Sequence, residues 1–417
     1  MVIYIIGGGP TGITLFKQLQ KKGENVVLFE GAPVLGGAHA VYRINDKFSE
    51  HGPRVYSTNY YNTFKIFPEL KNRMTFYNFQ ISEIGGYSFS KLLWNEKLKF
   101  IFAYFKSIIL TPTETVLEFS RDMSNDTKDY LDRLTRFTDG ASSDRYPLSE
   151  FLGLANSQAL YTLLQPSISM DKFWKTQLKE NMYLNSKLKN VEIKNNNISK
   201  LIFENKNVNI TTQDQVIFAI PPMYLKNLSS LTKYLDLEWI EKTKYINYIS
   251  ITFQWKINPD LPRVYGFPKS KWKIAFINLG EYLKDEKMWI LSTAITDTAL
   301  VPTNMTESEI IIQVAKQLEL PFYDNAIVYH GPKDGWVGND YKSPENVIIN
   351  INNVKSVGCH NGYSKYPFTS FECAVQNALH FTKDDIIYAI TLSELILILI
   401  LFIIILLILI YLKKIKN

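Results

Sequence analysis

Cysteine is nearly missing from this sequence: 417 residues carry only Cys359 and Cys373, and there is no C-x-x-C pair. That excludes a disulfide scaffold, a dithiol redox centre and a zinc ribbon. Histidine is scarce as well, five in all without H-E-x-x-H spacing, so no metal site is expected. The formal charge of +6 is spread through lysine-rich segments rather than gathered in one arm, which gives no footing for nucleic-acid binding. Aliphatic and aromatic residues make 46% of the chain and charged residues 21%, a balance that argues against long disordered tracts. The N-terminus has neither a basic n-region nor a small-residue cleavage site and is not expected to be a signal peptide. Asparagine is so abundant that N-x-S/T sequons in stretches such as KNNNISK arise by chance, and no glycosylation is inferred from them.

One long hydrophobic run is present. Leu395 to Leu412 reads LILILILFIIILLILIYL, eighteen residues without a polar side chain, followed by KKIKN. At helical rise this covers about 27 Å, close to the hydrocarbon thickness of a bilayer. A single-pass anchor over 388–412 is therefore expected, placing the protein on a membrane by its C-terminal end. Lys413, Lys414 and Lys416 favour a cytoplasmic tail by the positive-inside rule, whereas anchors of this kind ordinarily keep the preceding body cytosolic, so the orientation stays open.

At the other end, residues 4–15 read YIIGGGPTGITL. Val2 to Ile6 is a short apolar run of the buried parallel-strand type, and Ile13, Phe16 and Leu19 fall at helical spacing before Lys21, Lys22 and Gly23. Val26 to Phe29 gives a second buried strand, so the first thirty residues form a βαβ unit. Gly7, Gly9 and Gly12 stand between strand and helix in G-x-G-x-x-G order. Gly7 permits the tight turn, Gly9 the approach of a pyrophosphate and Gly12 close helix packing, with Pro10, Thr11 and Gly12 opening the helix end that meets the phosphates. Glu30 ends the second strand, where a carboxylate accepts ribose hydroxyls and repels a 2′-phosphate. NADP is thereby disfavoured, and NAD and FAD remain.

The stretch after Glu30, EGAPVLGGAHA, adds a second glycine pair, Gly36 and Gly37, followed by Ala38. Here the chain resembles the flavoprotein superfamily that contains flavin amine oxidases, phytoene desaturases, protoporphyrinogen oxidase and UDP-galactopyranose mutase. The resemblance continues in SEHGPRVYS (49–57), in NVEI followed by DQVIFAIPP, and in VGCHNGYSKYPFTSFECAVQNAL. It implies bound FAD, with Gly52 allowing close approach to the flavin, Val191 and Ala219 on the strands that meet adenine and close the FAD domain, and Gly358, Ser370 and Phe371 in the motif whose helix end faces the ribityl chain. It also implies an oxidoreductase transferring a hydride equivalent from substrate to flavin N5. His51, Arg54 and Tyr56 are the near-flavin candidates for chemistry. Three positions depart from the pattern: Ala38 replaces a common arginine, Cys359 a common acid, and Phe371 and its neighbours replace small residues.

The resemblance and the strand pattern together give an α/β fold. A discontinuous Rossmann-like FAD-binding domain is expected over 1–65, 187–235 and 345–385, with a mostly helical covering region at 66–186 and the sheet of an inserted α+β substrate domain at 236–344. KLLWNEKLKFIFAYFKSIIL (91–110), basic and aromatic at once, reads as a helix of the covering region or one lying on a membrane surface. A small, lipophilic substrate fits the anchor and the aromatic covering region. Two other functions remain: non-redox flavin chemistry of the mutase kind, disfavoured by few arginines between 150 and 345, and a membrane flavoprotein scaffold.

Overall fold

The computed structural model describes residues 1–44, 47–49, 55–76, 89–139, 141–167, 169–242, 248–261, 264–266, 270–283, 287–330, 349–364, 366 and 370–416. Five parallel strands form the central sheet: β1 (Ile3–Ile6), β2 (Val26–Phe29), β3 (Met182–Tyr183), β4 (Gln215–Phe218) and β5 (Val354–Ser356), in the order β5-β4-β1-β2-β3. Three of these strands come from distant parts of the chain, so the sheet is assembled by long returns. β1 is central and reads IYII because both its faces are covered; Ile3, Ile5 and Ile6 are buried, each contributing about 1.5–3 kcal/mol. The domain boundary expected at residue 187 falls after β3, which pairs with β2, so the sheet draws on the region expected to be covering helices.

Helix α1 (Pro10–Lys21) returns from β1 and starts with proline, whose missing N–H costs nothing at a helix's first position. It ends at Lys22 and Gly23, the latter at φ +81. A late helix, α5 (Phe371–Thr382), lies against α1, with Phe371, Ala374, Val375 and Ala378 all buried along one face. Between them comes α2 (Tyr61–Ile66), whose end is tied to α5. The buried carboxylate of Glu372 accepts from the Asn62 and Thr63 amides at 3.1 and 2.8 Å, from Asn62 Nδ2 at 2.6 Å, Thr63 Oγ1 at 2.7 Å and Gln376 Nε2 at 3.0 Å. A side chain from one helix thus caps another, and five donors offset the burial of the charge.

A helical cluster over 94–158 has its own core, built on Phe100, Phe119, Tyr130, Tyr146 and Leu152. It includes α3 (Trp94–Ile109) and α4 (Leu148–Gln158). Residues 188–209 form a three-stranded meander. A five-stranded antiparallel sheet follows, in the order 264–266, 274–283, 288–295, 249–255 and 325–330. The chain closes with α6 (Leu392–Lys416), which opens on a capping box: the Thr391 amide donates to Glu394, and the Glu394 amide to Thr391 Oγ1.

Candidate dinucleotide site

The glycines of the first turn are separated by what a side chain would meet. A Cβ on Gly12 would lie 1.9 Å from the Gly7 carbonyl oxygen, so α1 can approach β1 only without one. Gly7, at φ +116, would place a Cβ 2.6 Å from Ala219 O, just past the end of β4. Gly9 differs: a Cβ there meets nothing nearer than Gly37 Cα at 3.7 Å. Gly9 is the N-cap of α1, and no side chain caps this helix or places an acid in its first turn. The positive end of the dipole is left to be met from outside.

The residues expected around these glycines are brought to them. The Gly36 amide donates to Gly8 O at 2.8 Å, and Gly37, at φ +55, packs its Cα on Gly9. Gly37 and Ala38 are exposed beside that turn. Glu30 accepts the Gly8 amide at 2.5 Å through one carboxylate oxygen and the Ala32 amide at 2.7 Å through the other. Each oxygen keeps a second lone pair for a hydroxyl. Burial pushes the Glu30 carboxyl above its ordinary range, and the Ala32 and Gly8 amides pull the other way. Thr11 Oγ1 reaches Ala374 O on α5 at 3.5 Å. The arrangement has the form of a dinucleotide cradle: open backbone at a helix N-terminus, with an acid at the end of the neighbouring strand.

The residues expected on the flavin side form a second group. Ser370 caps its own helix, its Oγ accepting from the Cys373 amide at 3.0 Å. Phe371 is buried rather than open, its ring 5.9 Å from Trp174 in a stack, 5.4 Å from Phe67, 5.8 Å from Tyr56 and 5.1 Å from His39. Tyr56 is likewise buried in that aromatic cluster. Gly358 has extended backbone and sits against His360. His360 is buried with Ser356 Oγ 3.0 Å from its Nε2, and burial lowers it to about 4. Val191 is core, paired with Leu201 in the meander. His51, Gly52 and Arg54 lie outside the described residues. Among the described residues, no three His, Cys, Asp or Glu side chains gather as metal ligands.

Sequence reasoning missed a second surface. ISITFQW (249–255) alternates apolar and polar, a pattern that ordinarily places the polar side in water. Here every residue is buried. Ser250, Thr252 and Gln254 share a face with Ser292 of the neighbouring strand, which pairs with Thr252, and with Tyr329 on the other side, which pairs with Ser250. Tyr329 stacks on Tyr42 at 6.3 Å, and the Tyr42 hydroxyl is pushed up to about 12 by burial, then by Tyr329 and the negative charge of Glu30. The polar sheet face is thus joined through Tyr329 to a tyrosine within electrostatic reach of Glu30. The signal was the alternation itself, in a segment whose polar residues are uncharged.

Comparison with known proteins agrees with this geometry. Residues 5–70 match the NAD(P)-binding Rossmann-like domain family. No curated protein matches the chain. Among solved structures, an oxidoreductase from Methanosarcina mazei superposes with a TM-score of 0.67 at 14% identity, over 92% of this chain and 100% of its own. Cyclohexylamine oxidase from Brevibacterium oxydans gives 0.68 at 11%, over 91% and 97%. A putrescine oxidase gives 0.64 at 13%, over 92% and 98%. The chain has the fold of the flavin amine oxidase-like oxidoreductases, on an NAD(P)-binding-type Rossmann unit.

Proposed function

We propose that the protein is an FAD-dependent oxidoreductase held to a membrane by α6. The observation that carries this reading is the uncapped N-terminus of α1, bare at Gly9 and joined by hydrogen bonds to Glu30 and Gly36. The adenosine diphosphate half of FAD suits that cradle. Gly9 and Gly37 give backbone surface for the pyrophosphate, the Thr11 and Gly12 amides lie in the first turn, and Glu30 has lone pairs for the ribose. When bound, FAD supplies the acceptor for a hydride equivalent at flavin N5. The chain's own contribution is to position the reactants and exclude water. The antiparallel sheet of the 236–344 region turns Ser250, Thr252, Gln254 and Ser292 inward, and the Tyr42–Tyr329 pair joins that polar face to the cradle, so the substrate is proposed to lie against it.

The anchor reading rests on α6. The window Leu392–Tyr411 has a mean hydropathy of 3.4 and none of it is buried by the rest of the protein. A helix apolar on every side, touching its own chain only at its first turn, calls for an apolar solvent. The Thr391–Glu394 capping box consumes the helix's one acidic group at its start, where headgroups would be.

The test is the absorption spectrum of the purified full chain, followed by anaerobic mixing with amines, polyprenoids and sugar nucleotides. Flavin bleached by a substrate class supports the oxidoreductase. Turnover without net redox change would place the protein with the mutase-like flavoenzymes, and tight flavin with no reaction would leave a scaffold.

A further inference from the structure

The covering region carries an apolar face that the body does not use. α3 is pinned by its inner side: Glu96, 3% exposed, accepts from the Leu93 and Ser124 amides at 2.9 and 2.7 Å and from Thr127 Oγ1 at 2.8 Å. Phe100 packs edge-on to Phe119 at 5.0 Å. With that side fixed, the helix cannot roll. Its outer side presents Trp94 at 71% exposure, Phe102 at 69% and Ile109 at 84%, together with Leu98, Ile101, Phe105 and Ile108. At 100° per residue these seven fall within an arc of about 120°, the breadth of a face made for burial. Lys97 borders one edge of the arc and the exposed Lys106 the other. An apolar stripe with lysines along its margins matches a bilayer surface, where the stems lie in the apolar layer and the ammonium groups meet phosphates.

The occupant is indicated by what emerges beside the stripe. Asn156 on α4 accepts through one oxygen from both the Tyr104 hydroxyl of α3 and the Ser393 amide at the start of α6, each at 2.8 Å. The middle of α3 and the first turn of the anchor helix are thus held at one point. Wherever α6 enters a membrane, α3 stands at its surface.

We propose that α3 is an in-plane membrane helix that seats the body on the bilayer through Trp94, Leu98, Ile101, Phe102, Phe105, Ile108 and Ile109. This rests on the anchor reading of α6. Cysteines are introduced one at a time in the full chain as Phe102→Cys, Ile109→Cys and, away from α3, Phe322→Cys, a site 93% exposed. Each variant is reconstituted in phosphatidylcholine–phosphatidylserine vesicles, floated, and labelled with a membrane-impermeant maleimide, the unsubstituted chain giving the background from Cys359 and Cys373. The α3 sites should react about tenfold more slowly than Phe322→Cys, at every protein-to-lipid ratio. Equal rates on floated vesicles would overturn the proposal while leaving the anchor standing. Shielding that fades as the chain is diluted in lipid would make this a face between two copies and overturn it as well. A chain that does not float with the vesicles overturns the anchor and this proposal together.

Discussion

The N-termini of α1 and α5 lie on two helices packed against each other, and the chain treats them in opposite ways. At α1 every side chain is withheld: glycine at the cap, proline behind it, no acid in the first turn. At α5 the end is furnished from within, by Ser370 on the Cys373 amide, by the Phe371 ring under Trp174, and by Glu372, which reaches out to cap α2 in turn. The same dipole is left open for the proposed ligand at one end and is met by the protein's own side chains at the other.

The contrast can be broken most severely at Glu372. Replacing it by Gln puts an amide donor where backbone and side-chain donors converge in a buried site, and E372Q should lose roughly 4 kcal/mol of stability, read as a large drop in the thermal midpoint of the solubilised chain. An unchanged midpoint would mean the four contacts to Asn62 and Thr63 are not holding α2.

Acid comes next. His360 is held neutral by burial at about 4 against an ordinary 6.5, so its contribution is whole above pH 6.5. As the pH falls, the unfolded chain takes the proton first. Roughly 3 kcal/mol should be lost between pH 6.5 and 4, and H360N should flatten that limb of the stability profile. Glu30 runs the other way. Its carboxyl is raised by burial, so its contribution is present at low pH and lost as the pH rises through its folded value. E30Q should therefore steepen the acid limb, the opposite of H360N. Equilibrium unfolding across that pH range separates the two ends of the site.

Smaller again is the cap. S370A removes one acceptor from α5 and should cost about 1 kcal/mol, the usual worth of a serine N-cap. No corresponding side chain exists at α1 to remove.

How far the sequence announced these features follows from what kind of force made them. β1, α1 and β2 are local: a buried apolar run, a 3.6-residue period and a glycine stop decide them, and Ile3–Ile6, Pro10–Lys21 and Val26–Phe29 stand where the pattern puts them. Glu30, Gly36 and Gly37 were legible because their spacing is short and fixed. β3 was not: two residues, Met182 and Tyr183, are strand only because β2 lies beside them. The burial of both faces of 249–255 was hidden for the same reason, since alternation records polarity and says nothing of what covers it. Phe371 was noted as too large for the motif it occupies, and the structure gives that size a use in packing against Trp174, Phe67, Tyr56 and His39.

On the proposed reading the bare end of α1 exists for a dinucleotide rather than for the fold, and Gly9 isolates that role. A methyl group there meets no atom of the protein closer than 3.7 Å, so G9A should fold as the parent does, with unfolding free energy of the flavin-free chain unchanged to within about 0.5 kcal/mol. The same methyl stands where the pyrophosphate would approach. Titration of FAD into the flavin-free full chain, followed by quenching of flavin fluorescence, should show affinity at least about tenfold weaker in G9A than in the parent. Equal affinity in the two chains, or no FAD binding by the parent, would mean that the end of α1 is bare for the fold alone.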